Sequence, residues 1–398
     1  MVLVCAGIGG LVAVSLAQAP DCVTAPPSDA PVAAAHPSTT SLSGHPVAAA
    51  AVSGDLVFVS LRGWAPGDRS GVEVLRRDGG SLRSAAVIPL RSPPSGLALS
   101  PDGHVLLAAY DDGVAVLDAA RAATGDPSSV LGTVSTGPGA GTSGLAIAGG
   151  RYVFTVDESA GRVSVLDLAR MESGDFGPAV EVGTVDVDMG PAGVGVSPDG
   201  RYVYVVSQVQ RPAFSTGPSD FVYGLVTYVG VPRRGGTLSV IDVKRMELDP
   251  ASSVVARVPA GCGPVRVASS PDGKVLWVVA QRSNELLAFR SDQVLAGTAR
   301  PVAEIPVGAA PEGLQLVRGG AVALVAGSDR SRDAGGAQTV AVVDTAAALA
   351  GRPALRTTVA VGGMPHDIGV SPDQRTAFVA NNGSSTLTAV DVTSLPGS

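Results

Sequence analysis

Four ionisable residues, Arg266, Glu312, His366 and Asp367, occupy corresponding places in successive copies of one repeated phrase of this sequence. The register comes from comparing the start of each copy. The seven residues there are Val47, Ser95, Ser143, Ala192, Val265, Glu312 and His366, and the next place adds Arg266 and Asp367. The first four copies place nothing ionisable at this register, so the polarity of the last three is not demanded by the repeat. A histidine beside Glu312 and Asp367 has the chemistry of a general base, and Arg266 that of a carboxylate or phosphate clamp. The competing expectation is structural, with Arg266 and Glu312 paired and His366 merely solvated. His366, Asp367 and Glu312 are therefore the catalytic candidates, and Arg266, Glu312, His366, Asp367 and Asn381 the ligand-binding candidates.

The elements that must position these groups are written in the repeat. Its clearest copies are PAGVGVSPDGRYVYVVSQ from Pro191 and PHDIGVSPDQRTAFVANN from Pro365. Units begin at Pro46, Pro94, Ser143, Pro191, Pro264, Pro311 and Pro365. A period of about fifty residues marks a small sheet that can bury its faces only against its neighbours. Each unit has a short Gly/Ala-rich strand, a tight turn, a strand with one large apolar residue, and a third strand such as VSVLD. In SPDG the Pro presets the turn and Asp-Gly reverses the chain. The large residues Phe58, Leu107, Phe154, Tyr204, Trp277, Leu324 and Phe378 share one register and are expected to pack between adjacent sheets. Asp118, Asp167, Asp242, Asp344 and Asp391 end the third strands and are expected to cap the following turn. The expected fold is all-β, a seven-bladed β-propeller over 38–398, closed by an N-terminal strand from Ser38 to Gly44 that completes the last blade and removes an open edge.

A second polar ring follows the middle strand: Arg62, Tyr110, Asp111, Asp157, Glu158, Gln208, Gln281, Ser328, Asn381 and Asn382. It suits a sugar, a peptide or a cation. Asp111, Asp157 and Glu158 fall on neighbouring units and would attract Ca2+, but no established calcium-loop spacing supports it and no other cofactor motif is present. The four His are scattered, which leaves no zinc pattern. An insertion in blade four, 209–236, concentrates Phe214, Phe221, Tyr223 and Tyr228 in a chain with only seven Phe, six Tyr and two Trp. A projecting hairpin there would offer an aromatic patch to a partner, and a hairpin folded over its own blade would not.

The chain has 398 residues, 45% hydrophobic and 16% charged, with 51 Gly and 30 Pro, a turn-rich β composition. A formal charge of −7 and the lack of any basic cluster in the sequence argue against a backbone-neutralising nucleic-acid binder. Residues 1–19 are apolar and end in Ala17-Gln18-Ala19, which reads as a signal peptide or N-terminal anchor, although no basic residue precedes the apolar stretch. Residues 20–37 are Pro/Ala-rich, as expected of a linker or tether. Membrane contact would then be limited to the N-terminal segment, and the location extracytoplasmic, secreted or tethered at the cell surface. Cys22 lacks the small residue normally wanted before a lipidated cysteine. Cys22 and Cys262 have the opportunity to pair in an oxidising compartment; the plainer expectation makes Cys262 a small residue in a turn.

The P-x-G-x-x-x-SPDG-x-x-x-Y/F/W-V core, nearly intact in units two, four, five and seven, resembles the YVTN-type seven-bladed propellers, which include YncE-like and lactonase-like proteins. Units one, three and six carry SGD, AGG and RGG instead of SPDG. The resemblance implies the fold and leaves the function open, since such propellers include surface proteins, scaffolds and a few enzymes. The expectation from the whole sequence is an extracytoplasmic, non-catalytic binding scaffold that takes a protein or a small anionic or glycan ligand at the channel mouth. The alternative is a lactonase-like hydrolase in which His366 with Asp367 or Glu312 activates water and Arg266 holds the substrate.

Overall fold

In the computed structural model the described residues are 25, 31–32, 37–52, 55–64, 67–78, 81–210, 235–328 and 338–396. They form seven four-stranded antiparallel sheets, the blades of a propeller. The inner strands are His45–Ala51, Pro94–Leu99, Thr142–Ala148, Met189–Val196, Pro264–Ser269, Pro311–Val317 and Pro365–Val370. They converge closely because they are built from Gly and Ala. A Cβ on Gly193 would stand against the Val265 carbonyl of the next blade, and one on Gly369 against that of Ala49.

The seven large residues of the middle strands are all buried. Each lies in an apolar cluster with the next blade. Phe58 packs with Leu106 and Ala108, Phe154 with Val203 and Val205, Trp277 with Leu316 and Ala323, and Phe378 with Val57 and Val59. The core is thus seven interblade seams, and the even spacing of one bulky side chain per unit is what creates them.

The four SPDG-type turns are closed by one repeated network. Asp102, Asp199, Asp272 and Asp373 accept a hydroxyl bond from the preceding Ser100, Ser197, Ser270 and Ser371, and an amide bond from two residues on. These bonds hold all four carboxyls below the usual aspartate range. At the far end of the third strands, Asp118, Asp167, Asp242 and Asp344 cap short helices by accepting the amide of the residue three places on. Asp391 caps a 3-10 turn by accepting the amide of Thr393, two places on.

The strand Ser38–Ser41 pairs antiparallel with Thr386–Asp391 and so forms the outer strand of blade seven. Thr40 also donates its hydroxyl to the Leu82 carbonyl of blade one. Part of the segment before it is held rather than trailing. The Ala25 amide donates to the Ser283 carbonyl, and Asn284 donates to the Ala25 carbonyl. Thr358 and Thr357 both donate to the Pro31 carbonyl, and Val32 bridges Thr358. These bonds hold residues 25, 31 and 32 against blades five and six. Cys262 is disulfide-bonded, which overturns its reading as a mere turn residue. Cys22, the 1–19 stretch and the aromatic candidates Phe214, Phe221, Tyr223 and Tyr228 lie outside the described residues.

Candidate functional site

All seven blades carry a β-bulge at the same place, between the first residue or two of the inner strand and its middle-strand partner. The extra residue of a bulge escapes the ladder and is re-aimed. In blades six and seven that residue is Glu312 and His366, and in blade five Val265 is followed by Arg266. This is the physical reason why Glu312 and His366 depart from the repeat: the ladder skips them, whereas Arg266 and Asp367 are the first residues paired after the bulge.

The re-aimed side chains line a cavity of about 600 Å³ at one end of the channel. Its wall includes Arg266, Glu312, His366 and Asp367, together with Arg62, Glu158, Gln208 and Gln281 from the ends of middle strands. Middle and inner strands are antiparallel, so the end of one meets the start of the other. The two polar rings of the sequence are therefore one site, and ionisable groups from blades one and three join those of blades five to seven.

Strand alternation separates the members of the second ring that line it from two that turn away. Arg62, Glu158, Gln208 and Gln281 stand four places after the large middle-strand residue and face the cavity. Asp157 and Asn381 stand three places after it and point into the sheet. Asn381 is 0% exposed and donates to the hydroxyls of Thr386 and Thr388, which removes it from the ligand-binding candidates. Asp157 accepts from Thr142, Thr155 and Ser164, and burial pushes its pKa up. Asp111 meanwhile faces Arg62 at 3.8 Å and Glu158 accepts from Gln208. The three carboxylates thus do not converge as Ca2+ would require, and among the described residues no group of three or more His, Cys, Asp or Glu could hold a metal.

His366 and Asp367 stitch the last blade to the first. His366 Nδ1 lies 3.0 Å from the Val47 carbonyl, which can only accept, so Nδ1 carries the proton. Its Nε2 faces Glu312 Oε2 at 3.5 Å. Asp367 accepts from the Ala49 amide, and Asn382 donates to the Pro46 carbonyl along the same seam. Burial lowers the His366 pKa below its ordinary value, an effect that Arg266 reinforces and Glu312 and Asp367 oppose. Its side chain nevertheless keeps 30% exposure at the cavity wall.

Arg266 differs from its neighbours. Its guanidinium donates to two backbone carbonyls, Val265 at 3.0 Å and Ala192 at 3.5 Å. Among the described residues no carboxylate comes within ion-pair distance of it, which replaces the expected Arg266–Glu312 pair. Glu312 instead accepts from Gln281 Nε2 at 2.7 Å and faces His366. Arg62 donates to Ser95 Oγ at 2.6 Å. Burial raises the Glu158 pKa, and Gln208, Arg62 and Arg266 oppose the rise. Two guanidinium groups from blades across the ring therefore act on one point of the mouth. Sequence reasoning placed Arg62, Glu158, Gln208 and Gln281 in a ring but not in the site; the parity of the strand was the signal that separates them from Asp157 and Asn381.

Residues 119–309 match the family model described as Lactonase, 7-bladed beta-propeller. Hydrazine synthase subunit beta of Kuenenia stuttgartiensis is 34% identical over 106 residues, 26% of this chain and 25% of that protein. The match thus spans about a quarter of the length of that curated relative. Among solved structures, Kuenenia stuttgartiensis hydrazine synthase superposes with a TM-score of 0.64 at 19% identity, covering 89% of this chain and 97% of that one. A chain of the mitotic checkpoint complex gives 0.63 at 14% identity, covering 93% and 97%. A putative 6-phosphogluconolactonase from Bacteroides uniformis ATCC 8492 gives 0.62 at 18% identity, covering 85% and 92%. At these identities the superpositions speak for the fold alone, and the relatives differ widely in role. With seven four-stranded blades and the match to the lactonase family model over its middle, the chain is a seven-bladed β-propeller that is similar over residues 119–309 to the lactonase propellers.

Proposed function

We propose that the protein is an extracytoplasmic, non-catalytic binding propeller whose channel mouth takes a small anionic, hydroxyl-rich ligand of the sugar-acid class. Arg266 carries the reading: it is half-buried in the cavity wall, and its bonds go only to carbonyls. The lining carboxylates, by contrast, each have a partner within the protein, Glu158 with Gln208, Glu312 with Gln281 and Asp367 with Ala49. A guanidinium offered this way suits a carboxylate or phosphate, and Gln208, Gln281 and Ser143 around it suit hydroxyls. The apolar N-terminal stretch and the disulfide at Cys262 support an oxidising, extracytoplasmic setting.

The Lactonase model over 119–309 favours a second reading, hydrolysis of a sugar lactone. His366 is the natural base for it. Against that role, both of its ring nitrogens already face protein groups, Val47 and Glu312, so a substrate would have to displace one of them. Calorimetric titration with glucuronate and glucose, and a pH-stat assay with gluconolactone, separate the readings. Binding expects glucuronate to bind, glucose not to, Arg266→Ala to abolish the heat, and no acid release above background. Hydrolysis expects acid release that collapses in His366→Ala.

A further inference from the structure

Trp64 is the one aromatic among the large apolar side chains exposed in the described residues, at 62%. It lies two residues beyond Arg62, which lines the cavity, and its stacking partner His45 begins the inner strand whose Val47 and Ala48 also line it. One face of its ring is stacked on His45, with centroids 4.8 Å apart and planes at 20°. His45 is itself anchored, through Nδ1 to the Asn382 carbonyl at 2.7 Å and with Nε2 facing Asp68 at 3.4 Å. Asp68 also accepts the Trp64 amide at 3.0 Å. The indole is thus held in place from beneath and from its backbone, with its remaining surface turned to solvent. A large apolar ring kept rigid and exposed forgoes burial that a small rearrangement would provide, which is expected where the exposed face has a ligand to cover.

We propose that Trp64 is a stacking platform for a second sugar ring, so that the site takes an acidic disaccharide or longer acidic glycan with one ring in the cavity and the next on the indole. The inference rests on the anion-binding reading of Arg266. The cavity chemistry selects this occupant. Amides, hydroxyls and two guanidinium groups match the hydroxyls and carboxylate of a uronic acid, while the indole matches the apolar C–H face of a pyranose. A cavity of about 600 Å³ also falls in the range that holds a ligand of drug-like size, larger than one hexose.

The test compares galacturonic acid with digalacturonic acid by calorimetry and by tryptophan fluorescence. The chain has two Trp, and Trp277 is 1% exposed, so iodide quenching reports on Trp64. The wild type is expected to prefer the disaccharide by about tenfold and to lose iodide quenching when it binds. Trp64→Ala is expected to bring the two sugars to near parity, Trp64→Phe to keep part of the preference, and Arg266→Ala to lose both. Unchanged Trp277 emission in the variants confirms that they fold. A disaccharide preference that survives in Trp64→Ala, or iodide quenching indifferent to the sugar, overturns the platform while leaving the Arg266 reading intact. Failure of the wild type to bind either sugar overturns both.

Discussion

Truncating Arg266 to alanine removes a charge-assisted donor from the cavity wall, where the other guanidinium, Arg62, is already bonded to Ser95. Affinity for a hexuronate is expected to fall by about 10- to 100-fold, and Arg266→Lys to restore it only in part, because an ammonium lacks the planar fork. The catalytic candidates behave differently. The bonds of His366 and Asp367 lie on the seam between blades seven and one, so His366→Ala is expected to lower stability by about 1–2 kcal/mol in urea melts. His366 also sets a pH dependence. Its folded pKa lies below the ordinary value, so the unfolded chain takes up the proton first as pH falls. Stability is therefore full above the ordinary histidine range and declines as pH drops through it, and His366→Gln should flatten that decline. Asp157 is a structural centre: Asp157→Ala removes the acceptor shared by the buried hydroxyls of Thr142, Thr155 and Ser164 and is expected to cost about 2–4 kcal/mol.

At the scale of the element, the bulge is what turns a repeat into a site. It lets Glu312 and His366 leave the ladder without cost to the hydrogen bonds around them, whereas the neighbouring glycines cannot change because the next inner strand lies against them. Turn chemistry was legible in the sequence to the residue, since SPDG requires only local partners. The capping aspartates were legible for the same reason, and Arg290, which stands where five of the other blades place Asp, has no side-chain cap bond. The mouth was legible only in part. A repeat alignment finds the register but not the bulge, and it merges residues three and four places after the bulky side chain, which point to opposite sides of the strand. Asn381 was placed in the site by that merging. Trp64 gave no signal, because it lies in a loop outside the repeat. The four turn aspartates have folded pKa values below the ordinary range, so their contribution is complete above it and lost as pH falls further. Replacing them with Asn should make urea stability less dependent on pH between about 5 and 3.

For the whole molecule, ring closure is the weak point, because one seam must join residues over three hundred apart in sequence. It is held by the Ser38–Ser41 strand and by a polar stitch of His45, His366, Asp367 and Asn382. Deleting residues 1–41 is expected to lower the melting temperature markedly, since it opens an edge on blade seven. Deleting 1–37 should cost less but should still be measurable, through the bonds of Ala25 and Pro31 to blades five and six. Reduction of the Cys262 disulfide is expected to destabilise by about 2–4 kcal/mol, readable as a drop in melting temperature on adding reductant. These spacings and closures were visible in the sequence because the repeat is regular. The docking of the N-terminal segment was not, because its bonds run through backbone groups that any Pro/Ala-rich sequence offers.

The most direct test of the anion-binding mouth is a crystal structure of the propeller soaked in glucuronate. The carboxylate is expected within hydrogen-bond distance of the Arg266 guanidinium, with hydroxyls meeting Gln208 and Gln281. An empty mouth at saturating ligand, or a sugar bound with its carboxylate away from Arg266, would contradict the account.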